Sequence, residues 1–358
     1  MNKGITIYPG LDNTPEENLQ FLEQAAFCGF TRVFLSLVLP YADLPRAKAE
    51  LPEILAVARK LHMEIIASLT PEVMRTLHIT HLSLSAFRFM GIHTLYLPNF
   101  IPEDLAELSR NKHGLRIQFN AAHLSCEQLQ KLLDEKPNLS QLEALHSGYA
   151  RKGTGLSEEN LLRRTGILRQ AGIHVGAFVP SAFRPRSPFC DGIPSLEMHR
   201  KMPADLACRH LAAMGVDSVI LSDSMASAEE LFAIGKVSRN EILLRAKLLT
   251  NDSRQKQLLR YIFTARIDEA RDAIRAVEGC FLTKQIGNVI QPENTINRQL
   301  GDITIDNQNC TGFMGEVQII KNPSPASKRT NVAARIPKEE IFLMNYIVPG
   351  RKFYFAFS

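Results

Sequence analysis

The chain has 358 residues, 45% of them hydrophobic and 22% charged, and a formal net charge of +5. That is a globular mixture, long enough for one large domain or two smaller ones. Its 42 basic residues form no dense block interleaved with aromatics, which argues against nucleic acid as a partner.

The first residues, MNKGITIYPG, hold no apolar core of signal-peptide length. No run approaches the ~20 residues that span a bilayer. Cys28, Cys126, Cys190, Cys208, Cys280 and Cys310 include no CxxC pair, which points to reduced thiols in a cytoplasmic protein.

Apolar, β-branched runs then alternate with segments of helical spacing. ITIY (5–8) precedes Thr14-Pro15-Glu16-Glu17, a capping box with proline at the first helical position. RVFLSL (32–37), EIIASL (64–69) and HTLYL (93–97) follow. LRIQF (115–119) precedes the Ser125/Gln128 box, and LEALH (142–146) precedes a helix opened by Ser157, Glu158 and Glu159. IHVGAFV (173–179) and SVIL (218–221) complete the series, the latter followed by the Ser227/Glu230 box. Gly91, Gly172 and Gly215 stand where helices should stop.

Eight βα units in about 240 residues predict an α/β fold, a closed (β/α)8 TIM barrel. A doubly wound sheet would carry a Gly-rich phosphate turn after its first strand, and YPGLDNTPEE has no G-x-G-x-x-G. Later the pattern changes. Helical segments are expected near 254–263 and 267–276, then short runs at GDITIDN (301–307), GEVQIIK (315–321), NVAARI (331–336) and KFYFAF (352–357). This reads as a small, mostly β domain, with NPSPASKRTN (322–331) as a loop within it. The expected division is a barrel over 1–245 and a second domain over 246–358.

Barrel active sites are built from the loops that follow the strands. HSGYARKGTGLS (146–157) would follow strand six, with His146, Tyr149 and Arg151 directed into the mouth. Gly153 and Gly155 would let backbone approach a ligand. Asn120 ends the fifth unit's run, with His123 close by. The loop after strand seven, PSAFRPRSPFCDGIPSLEMHR (180–200), far exceeds the usual roughly 2–6 residues. It carries Arg184, Arg186, Asp191, Glu197, His199 and Arg200, and Asp223 follows strand eight.

Metal-dependent hydrolysis wants His-x-His on strand one, where this chain has Thr6-Ile7-Tyr8. His123, His146 and His199 lack ligand spacing, so no metal is expected. A Schiff-base lysine belongs on an inner strand, and Lys152 lies several residues past one. Glycoside hydrolysis needs two carboxyl groups across a sugar. The rim candidates are Asp12, Asp191, Glu197 and Asp223.

GITIYPG, HSGYARKGTGLS, FVPSAFRPRSPFCDGIPSLEMHR, and QPENTINRQLGDITIDN with GEVQII carry a resemblance to the bacterial 6-phospho-N-acetylmuramidase family. Its members were long known as uncharacterised "outer surface" proteins. The similarity spans essentially the whole length. It implies a TIM barrel followed by a cyclophilin-like β domain. It also implies cytoplasmic hydrolysis of N-acetylmuramic acid 6-phosphate linked to N-acetylglucosamine, during recycling of cell-wall peptidoglycan.

Asn120, Arg186, Gly192, Pro194, Glu197, His199, Arg200 and Asp223 fit the family pattern. At the strand-six loop the family usually reads His-Asn-(aromatic)-Tyr-Pro-Arg-Pro. Here His146, Tyr149 and Arg151 match, while Ser147, Gly148, Ala150 and Lys152 depart. The family's Arg-x-Asp after strand four is replaced by Tyr96-Leu97-Pro98, and only Asp12 stands near its strand-one acid.

On the glycosidase reading, Glu197 and Asp223 are the candidates for catalytic acid and base. Arg151 and Arg186 would hold phosphate or the lactyl carboxylate, since guanidinium forks suit both. Asn120, His146 and Tyr149 would meet sugar hydroxyls and the acetamido group, and Asp191 and His199 would complete the binding rim. The expected partner is a small-molecule phosphosugar, with no cofactor, no metal, no nucleic acid and no membrane. The second domain is expected to lean over the mouth or to support a homodimer. The alternative is a non-catalytic phosphosugar-binding or regulatory barrel that has lost a carboxylate.

Overall fold

The β-branched runs become eight parallel strands: β1 (Asn2–Ile7), β2 (Arg32–Leu35), β3 (Glu64–Ser68), β4 (Ile92–Tyr96), β5 (Arg116–Asn120), β6 (Leu142–His146), β7 (His174–Val179) and β8 (Ser218–Leu221). Each pairs with the next, and β8 closes on β1 from Asn2↔Ser218 to Ile5↔Leu221, giving a closed barrel. The structure, a computed structural model, describes residues 1–38, 40–286 and 289–357.

Nine helices of the described residues cover the strands: α1 (Pro15–Phe27), α2 (Leu44–Lys60), α3 (Pro71–Thr76), α4 (Leu84–Phe89), α5 (Pro102–Ser109), α6 (Cys126–Asp134), α7 (Glu158–Gln170), α8 (Ala204–Ala213) and α9 (Ala228–Gly235). The start signals act as the sequence predicts. Thr14, Ser125 and Ser227 each form reciprocal capping boxes, and Ser157 accepts from the Asn160 amide. Each box satisfies two otherwise orphaned donors.

Strand side chains alternate between the barrel interior and the helix layer. Three inward levels result. At the bottom, Arg32 (2% exposed) bridges Glu64 at 3.1 Å and Glu143 at 2.8 Å, and Arg116 meets the same two acids at 2.6 and 3.1 Å. Above them Phe34, Ile66, Tyr96, Leu145, Phe178 and Ile220 form one buried cluster. Alternation then places Tyr8, Ser36, Ser68, Asn120, Ser147 and Ser222 on the same inward face at the mouth.

The chain divides into Met1–Val237 and Ser238–Ser358. The join falls ahead of the expected 245/246, because a strand the sequence reading passed over, β9 (Glu241–Leu248), runs through it. β9 pairs parallel with β15 (Lys352–Phe357) and antiparallel with β14 (Thr330–Arg335). The other strands of this unit are β10 (Phe263–Thr264), β11 (Ala273–Arg275), β12 (Asp302–Asp306) and β13 (Val317–Ile320), in the sheet order β10-β15-β9-β14-β12-β13-β11. Helices α10 (Ser253–Leu258) and α11 (Gly279–Ile286) accompany the sheet. The helix expected near 267–276 does not form. Ala273–Arg275 is instead a strand paired with β13.

Candidate active site

The mouth is organised around Tyr8, which follows β1. Its ring is 6% exposed and its hydroxyl donates to the Ser222 carbonyl at 2.5 Å. Burial pushes its pKa up to about 12, so the phenol keeps its proton. Over the ring lies Arg186, with the guanidinium carbon 5.1 Å from the centroid, a cation–π contact.

Arg186 reaches Tyr8 because the β7–α8 loop is fastened back across the ends of β1 and β8. Asp223 accepts from the Ser181 and Arg186 backbone amides at 2.8 and 3.0 Å. Asp12 accepts from the Ser187 amide at 3.0 Å and from the Ser224 hydroxyl. Arg184 donates to Asn13 at 2.8 Å and pairs with Glu17 at 3.0 Å. The Arg186 Nε is buried without a hydrogen-bond partner. A buried donor left unpaired is costly, and an anion bringing two oxygens to the fork would relieve it.

Both carboxyls feel the Arg186 charge, yet their pKa values move apart. Burial raises that of Asp223, outweighing the backbone donors from Arg186 and Ser181. Asp12 is also pushed up by burial, but the hydrogen bonds from Ser187 and Ser224 outweigh it and leave its pKa lowered. Asp12 is therefore the ionised partner, and Asp223 the one readier to hold a proton.

Glu197 is not placed to trade a proton. Arg200 donates to both of its oxygens at 2.7 Å, and the Gly153 and Gly155 amides add bonds of 2.9 and 2.7 Å. The Arg200 bonds are the largest cause of its fall to about 2. The expected acid is a positioning residue that ties the β6–α7 loop to the β7–α8 loop. Gly155 is required for this approach, since a Cβ there would lie 2.7 Å from a Glu197 oxygen. The close backbone contact serves Glu197 rather than a ligand.

His146 and His199 also depart from expectation. Leu145 takes the inward position at the end of β6, so His146 faces the helix layer, where Nε2 lies 3.0 Å from the Thr165 hydroxyl of α7. Burial lowers its pKa to about 3. His199 is fully buried against His210 of α8, with 2.9 Å between ring nitrogens. Neither ring reaches the mouth. One residue of strand parity decides the first case, and a partner eleven positions away decides the second.

Asn120 holds its mouth position, its Oδ1 accepting from the Ala122 amide at 3.0 Å. Tyr149 is half-buried and its amide donates to the Pro194 carbonyl at 3.0 Å. Arg151 and Asp191 are exposed on their loops. At the end of β4, the Tyr96 hydroxyl lies 2.8 Å from that of Ser147, and the Pro98 carbonyl lies 3.2 Å from the His123 ring. Sequence reasoning missed Tyr8, although its place two residues beyond Thr6 marks it as inward-facing.

Family models described as 6-phospho-N-acetylmuramidase, N-terminal, and 6-phospho-N-acetylmuramidase, C-terminal, match residues 3–236 and 228–356. The chain is similar to an uncharacterised B. cereus protein, at 27% identity and a TM-score of 0.88, covering 99% of each chain. It is also similar to a conserved Enterococcus faecalis protein of unknown function, at 25% identity and a TM-score of 0.72, covering 100% of this chain and 97% of that one. No curated protein matches.

Proposed function

Since the chain belongs to the 6-phospho-N-acetylmuramidase family, we propose that it cleaves the glycosidic bond of a 6-phosphorylated disaccharide, of the N-acetylmuramic acid 6-phosphate type or a related phosphosugar. The setting is the cytoplasm, in cell-wall recycling, and the second unit is the cyclophilin-like domain of the family. One observation carries the reading at the site. Asp12 and Asp223 hold the backbone of the loop that carries Arg186 and feel its charge, its buried Nε makes no hydrogen bond, and the pKa values of the two carboxyls are displaced in opposite directions.

In this reading Arg186 receives the substrate's anionic group, steadied by the Tyr8 ring. Asn120 and Tyr149 meet hydroxyls and the acetamido group, and Arg151 adds a second cation from the neighbouring loop. Asp223 gives its proton to the leaving oxygen as the C1–O bond breaks. Asp12, ionised, faces the positive charge developing at C1, and the proton of the attacking water returns to a carboxylate. The test is turnover of the muramic acid disaccharide and of chromogenic 6-phosphoglycosides, with binding measured in parallel. Cleavage lost in both Asp12→Asn and Asp223→Asn supports the assignment, and full cleavage in either removes that residue.

The alternative, a non-catalytic phosphosugar-binding barrel, is favoured by Pro98. A proline carries no proton to transfer, and it stands where the family usually has a carboxylate. Binding of the phosphosugar without any turnover would decide for it.

A further inference from the structure

A cavity of ≈ 530 Å³ lies beside the ends of β1–β3, bounded by α2, α3 and α4. It does not include Arg186, Asp12 or Asp223. The local fold accounts for it. The β3–β4 crossover carries two helices of six residues each, and α4 buries no residue at all. Aliphatic side chains of α2 and the strand ends therefore face open space instead of a long helix. Leu51, Leu55, Leu69, Val73, Leu77 and Phe87 form its walls, and its described lining contains no acidic residue. Pro9, Ser36 and Ser68 also line it. The two serines share their inward face with Tyr8 and Asn120, so they are the part of the lining that borders the mouth where the sugar is proposed to bind.

A volume of this size falls within the range of about 300–1,000 Å³ typical of small-molecule sites. Such an apolar lining holds water poorly and favours apolar ligands. We infer that this cavity is a subsite for an apolar aglycone, so that the chain takes 6-phosphoglycosides carrying an alkyl or aryl group. The inference rests on the reading that a phosphosugar occupies the mouth. The ligand's hydroxyl or ether oxygen would lie near Ser36 and Ser68, and its chain would run toward Leu51 and Leu77.

Calorimetry with the methyl and hexyl glycosides of N-acetylmuramic acid 6-phosphate tests it. Each buried methylene is worth about fourfold in affinity. The hexyl compound is expected to bind at least about tenfold tighter than the methyl one. Leu77→Glu, at a partly exposed position, should remove that advantage with little change in melting temperature. Leu51→Trp, which fills the space without adding charge, should do the same. Equal affinity of the two glycosides in the wild type overturns the subsite and leaves the mouth reading standing. Hexyl binding that depends on Leu77 but ignores Arg186→Ala keeps the cavity and sinks the mouth reading. Binding of neither compound overturns both.

Discussion

Arg200 grips both oxygens of Glu197 at 2.7 Å, and the same guanidinium reaches the carbonyls of Tyr149 at 3.0 Å and Gly192 at 2.8 Å. One ion pair thereby fixes two loops. Glu197→Gln keeps the shape but turns an NH2 group toward donors, and should cost about 2 kcal/mol of stability, as charged hydrogen bonds do. The Glu197 carboxyl falls from 4.5 to about 2 in the folded chain. A lowered carboxyl pKa stabilises fully above the unfolded value and progressively less below it. The melting-temperature gap between wild type and Glu197→Gln should be full above pH 4.5 and shrink as pH falls toward about 2.

Asp223 should set the alkaline limb of the pH–rate profile. Its pKa is raised by burial, so the protonated acid persists above the ordinary 3.8. Asp12, lowered, sets the acid limb. Replacing either with asparagine should reduce kcat at least about 10²-fold, the lower end of general acid–base assistance. Phosphosugar affinity should also weaken in these variants, since both carboxylates hold the loop that carries Arg186, so kcat is read at saturating substrate. A profile with both limbs intact in Asp223→Asn would exclude it as the acid.

Arg186→Ala should weaken phosphosugar binding by about tenfold or more, with little change in melting temperature. Lysine should rescue poorly, since an ammonium offers neither the planar fork nor the same stacking on Tyr8. Arg151→Ala, whose side chain is exposed, should have the smaller effect in the same titration. A larger loss at Arg151 would move the anion site to the other loop.

Three buried histidines should make the barrel acid-sensitive. Burial lowers His146 to about 3 and His210 to about 4, and lowers His199 well below 6.5. Below pH 6.5 the unfolded chain takes up protons that the folded chain refuses, so stability falls as pH falls. Each such histidine contributes a slope of about 1.4 kcal/mol per pH unit between its two pKa values. Denaturant unfolding from pH 7 to pH 5 should show the decline, and His146→Gln should flatten it. Stability that rises toward pH 5 would refute the account.

The bottom of the barrel gives a stability prediction free of activity. Arg32, 2% exposed, bridges Glu64 and Glu143, and its removal leaves both acids to Arg116 alone. Arg32→Ala should cost about 1.5–3 kcal/mol by chemical denaturation, the range for lost hydrogen bonds to charged groups. KM should stay unchanged, because the network lies beneath the aromatic level.

The barrel was legible because its signals are local. Period-two runs, three capping boxes and terminal glycines each need only a few neighbouring residues, and the boxes at Thr14, Ser125 and Ser227 all form. The site was legible only in part. The loop holding Arg186 declared itself by its length, but its path was set by Asp12 and Asp223, 175 and 37 residues from their partners. Glu197 looked like a free rim acid because its amide donors lie 42 and 44 residues away. His146 was assigned to the wrong face because strand ends are uncertain by a residue, and one residue inverts the direction of a side chain.

The Glu197–Arg200 pair also bears on how such a barrel can diverge. The guanidinium holds main-chain oxygens of both loops, so side chains between those anchors can change without disturbing it. The anchors cannot move singly. A β6–α7 loop transplanted from a relative would bring its carbonyls to new places and strand the guanidinium, unless the β7–α8 loop came with it. The two segments behave as one cassette, and new specificities in this scaffold should arise by exchanging the pair together.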